Sequence, residues 1–274
     1  KVSIYALSNI LANTANAILT VLGWVLSVAG AFLNFSIVTT LKIGDYIDSI
    51  PAIKETWIVI RNLSNIFIIF LLMYSSIMKI LGLGKSSFAT LVGNIIIAGL
   101  FINFSLFFAR VLIDASNMVS LQFYRAIAPD TENNITISKS FKDGGISNIF
   151  MSSLKIPQIY QNTSVLKSAN ADVSMSILIA SIGGILMMVT AFFSFLAAGI
   201  AFIARTGILL FLLALSPFFF VGIIFPQIKA DVSDKIWASF KGQLLFMPVY
   251  LLLMYIALRL ISSPGFKAVF NQSA

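Results

Sequence analysis

Residues 173–228 decide the fold class of this chain of 274 residues. They read VSMSILIASIGGILMMVTAFFSFLAAGIAFIARTGILLFLLALSPFFFVGIIFPQI, and Arg205 is the single charged residue among them. The hydrocarbon core of a bilayer is about 30 Å thick, and a helix needs roughly 20 apolar residues to cross it. The stretch is therefore predicted to form two membrane-spanning helices in succession, joined by a tight turn at residues 205–207.

The composition of the whole chain is that of a membrane protein. Hydrophobic residues make up 59% of the sequence and charged residues only 10%, as is typical of chains that cross a membrane several times. Inside lipid every backbone polar group needs a partner within the protein, and a helix provides these partners within one segment. We therefore predict an all-α membrane fold in contact with the lipid bilayer, formed by one polytopic domain over residues 1–274.

Further charge-free runs, together with residues 173–228, predict about six spanning helices. They are placed at about residues 15–38, 58–81, 88–113, 173–204, 207–228 and 242–261. With six spans all Asp and Glu residues fall on one side of the membrane, which supports an even number of crossings. The same side carries more of the Lys and Arg residues, so we expect it to face the cytoplasm.

The central region, residues 115–172, is predicted not to span. It holds two amphipathic stretches, at residues 118–127 and 149–156, on either side of a polar turn region. Each stretch is too short to cross the hydrocarbon core, and Pro157 ends the second. We expect interfacial amphipathic helices here, or short helices that cap the bundle.

The chain contains neither Cys nor His, and this restricts its chemistry. Disulfides, thiolate or imidazole catalysis, and zinc or haem held by imidazole are excluded. We predict no catalytic residues, no metal site and no small-molecule cofactor, and hence a protein that is not an enzyme. Because the sequence begins at Lys1 instead of Met, we expect a processed or trimmed chain.

Residues 82–87 read GLGKSS, which resembles the end of a phosphate-binding loop. Lys79 stands where that motif needs its first glycine, and no strand precedes it, so we predict a tight turn. The net charge of +8 comes from Lys and Arg residues scattered singly along the chain. This pattern favours contact with lipid headgroups over a nucleic-acid site.

Two polar pairs lie near the ends of predicted spans. Arg61 and Asn65 are one helical turn apart at the start of the second span, and Arg110 and Asp114 are one turn apart at the end of the third. Ionisable residues inside a span are costly and often functional, whereas arginine near a helix end extends to water. We interpret both pairs as ion-pairing or anchoring groups, with a polar lining or a partner-docking site as the alternative.

A short sequence echo connects the first and third predicted spans. Asn34-Phe35-Ser36 precedes Asp45 by the same distance at which Asn103-Phe104-Ser105 precedes Asp114. Chance and an ancient duplication both explain the match. If the duplication is real, Asn34 and Asn103 are equivalent residues for hydrogen bonds between helices.

Small residues four positions apart in the fourth span predict a helix-packing face, because they let two helix backbones approach closely. The pairs are Ala180 with Gly184 and Ala197 with Ala201.

Proline residues interrupt the last two predicted spans. Pro217 and Pro248 each remove a backbone hydrogen bond, so we expect a kink at both positions. Arg205 lies between the fourth and fifth spans, on the side of the membrane that is predicted to hold no acid. It is predicted to be an interfacial anchor, or a docking point for a carboxylate of a partner protein.

Two parts of the sequence, residues 50–117 and the last third of the chain, each contain a series of landmark residues between apolar runs. In the first block they are WIVIRNLSN at residues 57–65, Asn103-Phe104-Ser105, Arg110 and Asp114-Ala115-Ser116-Asn117. In the last third they are Leu215-Ser216-Pro217-Phe218, Phe225-Pro226, Trp237 and Pro248. This pattern covers most of the chain and resembles the TrbL-like inner-membrane subunits of bacterial type IV secretion and conjugation systems.

The resemblance implies a multi-pass, non-enzymatic subunit of the bacterial inner membrane. It implies that several copies of the chain assemble as a ring, together with other membrane subunits. The resulting machine would move DNA or protein across that membrane. The alternative is an independent transporter or channel for ions or small solutes. That alternative needs a polar cavity near the middle of the membrane, where the last three predicted spans offer only Ser, Thr, Gly and backbone groups.

Overall fold

The computed structural model describes residues 2–82, 88–128, 145–153, 171–224 and 232–263. Within these ranges the chain is helical between short turns and has no strand. The helices are α1 (Val2–Leu41), α2 (Ile43–Ser49), α3 (Pro51–Ile80), α4 (Phe88–Asn103), α5 (Ser105–Ile127), α6 (Gly145–Ser153), α7 (Ala171–Ala214), α8 (Phe218–Ile224) and α9 (Asp234–Ser262).

The prediction of an all-α membrane fold is confirmed. Among the described residues, five helical segments are long and apolar enough to cross a membrane: Ala17–Leu41, Pro51–Ile80, Ser105–Ile127, Ile182–Ala214 and Asp234–Ile261. A further apolar segment, Val92–Asn103, is shorter than a full crossing requires. The predicted first, second and last spans coincide with α1, α3 and α9.

The predicted third span, residues 88–113, is divided at Phe104 into α4 and α5. Side chains next to the break bond to nearby backbone carbonyls, which competes with regular helix formation: Asn103 Nδ2 donates to Gly99 O at 2.8 Å, and Ser105 Oγ donates to Ile102 O at 2.8 Å. Helix α5 then continues to Ile127. The first amphipathic stretch, residues 118–127, is therefore the end of a helix of spanning length instead of a separate interfacial helix.

The predicted turn at residues 205–207 is wrong, because α7 runs without interruption from Ala171 to Ala214. Neither Arg205 nor Thr206 opposes a helical backbone, and a glycine costs only about 1 kcal/mol inside a helix. At 44 residues the helix is about 66 Å long. The predicted spans 173–204 and 207–228 are thus one long helix followed by the short α8.

Pro217 lies between two helices, whereas Pro248 lies inside one. Pro217 lies in the turn between α7 and α8. The prediction that it kinks a span is therefore wrong, because it stands where a helix has ended. The turn is closed by hydrogen bonds from Ser216 N to Leu213 O at 3.2 Å and from Phe219 N to Ser216 O at 3.1 Å. Pro248 lies inside α9, as predicted.

The chain groups into two compact units. The first comprises Lys1–Thr40, Gln122–Ile203 and Leu251–Ala274, and the second comprises Leu41–Leu121 and Ala204–Tyr250. The assignment of residues 1–274 to one membrane domain stays a prediction.

In the first unit α6 packs against α1 through Asn34. Its amide donates to Ser147 Oγ at 2.9 Å and accepts from Ser147 N at 3.2 Å, so Asn34 caps the first turn of α6. Helix α6 begins at Gly145 with φ +42°, and a Cβ there would lie 2.7 Å from Asn34 Cγ. Glycine is therefore required at this position both by backbone conformation and by space.

Helix α7 also packs closely against α1 in the first unit. A Cβ at Gly199 would lie 2.6 Å from the ring of Phe32, so the glycine lets the ring reach the α7 backbone. Thr40 Oγ1 donates to Phe202 O at 3.0 Å.

The second unit has an apolar core to which α2, α3, α5, α7, α8 and α9 contribute. Its buried members are Ile43, Ile53, Ala109, Ile113, Leu209, Leu212, Leu213, Phe219 and Phe240. Trp237 packs edge-on against Phe219, with ring centroids 5.5 Å apart. Helix α8 also packs on α4, where Phe220 stacks on Phe101 at 5.0 Å. This core fixes the helices that carry the polar groups described next.

Candidate functional site

Arg205 is buried in the second unit, inside a membrane-spanning segment. Its side chain is only 1% exposed, and it projects from the segment Ile182–Ala214 of α7. The prediction that Arg205 is an accessible docking point is therefore wrong, whereas its role as an interfacial anchor stays a prediction. Because the expected turn is a continuous helix, Arg205 lies within packed helices.

Neutral groups from α5 and α9 surround the guanidinium of Arg205. Nε donates to Gln243 O at 2.8 Å, and Nη1 lies 3.6 Å from Met247 Sδ. Nη2 makes two longer contacts of 3.4 Å, with Ser116 Oγ and Asn117 Oδ1. The two ion pairs between described side chains both involve Arg110, and no described carboxylate pairs with Arg205.

Two backbone carbonyls of α9 that precede Pro248 accept hydrogen bonds from these side chains. Proline has no N–H, so the carbonyl of Leu244, four residues earlier, lacks its helical hydrogen bond. Ser116 Oγ of α5 donates to this carbonyl at 2.5 Å, one residue after the carbonyl that Arg205 bonds. Inside lipid an unsatisfied carbonyl costs several kcal/mol, so Ser116 replaces a hydrogen bond that α9 cannot make.

These contacts define the Arg205 cluster: Ser116, Asn117, Arg205, Gln243, Leu244, Met247 and Pro248. The Ser116 hydroxyl connects its two parts, because it donates to Leu244 O and accepts from Arg205. Pro248 lies at the middle of the segment Asp234–Ile261. The cluster therefore places a positive charge and a proline-interrupted helix together at the centre of the last spanning segment.

Arg110 forms a second site in the same unit, on an exposed surface. Its guanidinium makes two hydrogen bonds of 2.7 Å to the Asp48 carboxylate, and its Nε lies 3.9 Å from Asp114. The side chains of Arg110, Asp48 and Asp114 are 40%, 62% and 50% exposed. The hydrogen bonds from Arg110 lower the pKa of Asp48 from its ordinary value of 3.8. The predicted Arg110–Asp114 pair is thus the weaker contact.

Sequence reasoning missed Asp48 as the main partner of Arg110. The available signal was its position in the connection between the first two spans, on the same predicted membrane side as Arg110. An ion pair this exposed contributes little to stability.

The predicted pair Arg61 and Asn65 divides between two contacts of α3. The guanidinium of Arg61 lies 4.7 Å from the ring centre of Trp57, a cation–π contact, and bonds to Asn62 Oδ1 at 3.1 Å. Asn65 instead pairs with Asn103 of α4, and the two amides exchange hydrogen bonds of 3.3 Å. Asn103 is exposed. The structure therefore brings together Asn65 and Asn103, which belong to different predicted groups.

The two residues of the sequence echo both bond between helices. Asn34 bonds to α6, and Asn103 bonds to α3. The echo itself does not predict these partners, and duplication stays one of its two explanations.

The predicted small-residue face of α7 has several environments. Gly184 is buried, Ala197 is exposed and Ala201 is half-buried. The side chain of Ala180 lies outside the described residues. Among the glycines of α7 with a described environment, Gly199 is the one that another helix approaches closely, and the sequence pattern did not single it out.

Comparisons with protein-family models, curated proteins and solved structures gave no match. Within the described ranges no three Asp or Glu side chains come together as possible metal ligands. The resemblance to TrbL-like subunits stays a prediction.

Proposed function

We propose that this protein is a non-enzymatic subunit of a membrane translocation machine, which assembles through its spanning helices with copies of itself and with other subunits. The observation that carries the proposal is the exposure of α3. This helix is the candidate span Pro51–Ile80. In its most apolar part only 6% of the residues are buried within the chain. A spanning helix that packs so little against its own chain has a face available for another protein.

Polar groups on that face favour protein over lipid as its neighbour. Asn65 and Asn103 form an amide pair at the surface between α3 and α4. Asn65 keeps a second N–H donor that no described residue accepts, whereas Asn103 donates its second N–H to Gly99 O. Lipid tails offer no partner for the remaining Asn65 donor. A helix of another subunit with polar side chains would supply that partner.

The resemblance to TrbL-like subunits suggests which machine this is. We infer a type IV secretion-like or conjugation assembly in a bacterial inner membrane, with DNA or protein as cargo. The polar landmarks of that resemblance include Asn65, Asn103 and Arg110, which form the exposed contacts of the second unit.

Photo-crosslinking from the exposed face of α3 tests the proposal. A photoreactive amino acid replaces Ile66, which is 64% exposed beside Asn65, and in a control it replaces Val21 of α1, which is 62% exposed. In membranes of cells that encode the protein, we expect protein adducts from position 66 and mainly lipid adducts from position 21. Lipid adducts alone from position 66 would overturn the proposal, and mass spectrometry of the adducts identifies the subunits.

An independent transporter is the second candidate, and Arg205 favours it. A buried cation without a carboxylate in contact is a possible binding group for a small anion. Purified protein in lipid vesicles would then move chloride or a small carboxylate without any other subunit, and Arg205→Gln would remove that flux. Flux from the lone protein, together with absent protein adducts at position 66, would favour this candidate.

A further inference from the structure

Helix α6 lies beside the middle of the first spanning segment. A Cβ at Gly30 would lie 2.8 Å from Ser147 Oγ and 3.7 Å from Met151 Cε. Gly30 lies eleven residues before the end of α1 at Leu41 and twenty-eight after its start at Val2. At 1.5 Å per residue these ends are about 16 Å and about 42 Å away along the helix. The first turn of α6 is therefore far from both ends of α1.

A contact with α7 also places α6 beside the inner part of a spanning helix. The ring of Phe150 in α6 packs edge-on against Phe195, with centroids 5.6 Å apart. Phe195 lies twenty-four residues after the start of α7 and nineteen before its end. Two spanning segments of the first unit thus flank α6 at their inner parts.

Helix α6 is too short to cross a membrane at that level. It has 9 residues, which corresponds to about 13 Å against a hydrocarbon core of about 30 Å. A helix of this length beside the inner parts of two spanning helices does not itself cross the membrane. The interfacial helix that the sequence predicts over residues 149–156 would instead contact the ends of those segments.

One edge of α6 is polar and exposed. Ile146 and Ser147 are buried against the unit, whereas Asn148 and Ser152, one helical turn apart, are exposed. The Ser152 hydroxyl bonds only to Ile149 O within its own helix, at 3.0 Å, and the Asn148 amide makes no hydrogen bond to described residues. Hydrocarbon offers no partner to such an amide, whereas water does.

We propose that α6 is a re-entrant helix and that its Asn148–Ser152 edge lines a water-filled passage for hydrophilic cargo. The lining is uncharged, because residues 145–153 include no Asp, Glu, Lys or Arg, so it admits polar groups without selecting their charge. The proposal rests on the proposed translocation function only for the identity of what passes. The passage itself belongs to the chain alone.

Thiol labelling of the purified full chain in lipid vesicles tests the passage. The chain has no Cys, so Asn148→Cys and Ser152→Cys each introduce a single thiol. A small cationic methanethiosulfonate should modify both at least roughly tenfold faster than Val28→Cys, because a thiol in hydrocarbon forms little thiolate. Val28 is the control, since it is 51% exposed on α1. Rates at positions 148 and 152 as slow as at position 28 would overturn the passage.

A second pair of variants tests the level of α6. Gly30→Ala adds the Cβ that would meet Ser147 at 2.8 Å, whereas Gly183→Ala adds one in open space. We expect Gly30→Ala to change the labelling rate at positions 148 and 152 severalfold and Gly183→Ala to leave it unchanged. Equal rates in both backgrounds would show that α6 does not contact the middle of α1. Labelling uses the isolated chain, so its failure is distinguishable from absent subunit crosslinks at position 66.

Discussion

Arg110 and Arg205 lie in the same unit and in segments of spanning length, yet burial and charge pairing are opposite in the two. Arg110 is 40% exposed and holds one carboxylate at 2.7 Å and another at 3.9 Å. Arg205 is 1% exposed and holds a backbone carbonyl, a thioether, a hydroxyl and an amide. The two carboxylates thus pair with the arginine that is exposed on the chain, and no described carboxylate contacts the buried one.

The difference indicates that Arg205 is retained for reasons other than an ion pair. Removing a guanidinium from water costs on the order of several kcal/mol, and neutral dipoles offset this only in part. Arg205 does, however, connect α5, α7 and α9 next to the carbonyl that Pro248 leaves without a partner. Its long side chain fills this junction, whereas Arg110 fixes only a surface contact.

The largest expected difference is between truncations of the two arginines. Arg205→Ala leaves a cavity among three helices and should reduce the free energy of unfolding by about 3–5 kcal/mol, as for other large buried side chains. Arg110→Ala should cost no more than about 1 kcal/mol. Reversible unfolding in mixed micelles measures both variants. Equal losses would remove the distinction between the two sites.

A new carboxylate beside Arg205 should stabilise the protein. In Asn117→Asp the carboxylate replaces the amide oxygen that lies 3.4 Å from Arg205 Nη2, and a buried charged hydrogen bond contributes about 1.5–3 kcal/mol. The control Asn62→Asp places a carboxylate beside Arg61, where the amide oxygen lies 3.1 Å from the guanidinium at an exposed position, and should contribute less than about 1 kcal/mol. A loss of stability in Asn117→Asp would show that the cluster already compensates the charge.

The hydrogen bond between Ser116 and Leu244 should depend on Pro248. Ser116→Ala leaves the Leu244 carbonyl without a donor and should cost about 1–2 kcal/mol. In a Pro248→Ala background the new backbone N–H at position 248 restores the helical bond, so the same change should cost less, with a coupling of at least about 0.5 kcal/mol. A double-mutant cycle of unfolding free energies gives this coupling. Strict additivity would mean that Ser116 does not replace the missing proline N–H.

The smallest effect concerns pH and the exposed site. The pKa of Asp48 is lowered in the folded protein by its hydrogen bonds from Arg110, so its contribution to stability is present above the ordinary pKa near 3.8. The contribution is lost as pH falls through the lowered value. Wild type should therefore show a shallow acid-dependent loss below about pH 4 that Asp48→Asn lacks. An identical pH dependence of the two proteins would mean that the pair does not persist in solution.

The sequence predicts the fold class because hydrophobic length alone requires membrane helices, as in α1, α3 and α9. It fails at helix ends in two regions, residues 88–127 and residues 173–228. Arg205, Thr206 and Gly207 resemble a turn because a charge is rare inside a span, but they continue α7, and Pro217 ends it. At Phe104 the opposite error occurs: residues with ordinary helix propensity are interrupted because Asn103 and Ser105 bond to nearby carbonyls.

For the candidate sites the sequence identifies the polar residues but not their partners. Arg205, Arg110, Asn65 and Asn103 stand out because polar groups in apolar runs are costly. Their contacts are made across helices far apart in the chain, as between Asn65 and Asn103. Ser116 and Asn117 belong to the residues on which the resemblance to TrbL-like subunits is based, and no periodicity directs them to Arg205. Such partners depend on helix packing, which a single sequence does not specify.

The length of α7 has a consequence for how the protein is made. Its apolar segment Ile182–Ala214 contains 33 residues, or about 50 Å of helix, which exceeds the hydrocarbon core by about 20 Å. During synthesis the part of α7 that exceeds the hydrocarbon core is an exposed apolar surface until other helices cover it. A chain made without its neighbours would therefore be a target for chaperones and membrane proteases, and its cellular half-life would report on assembly.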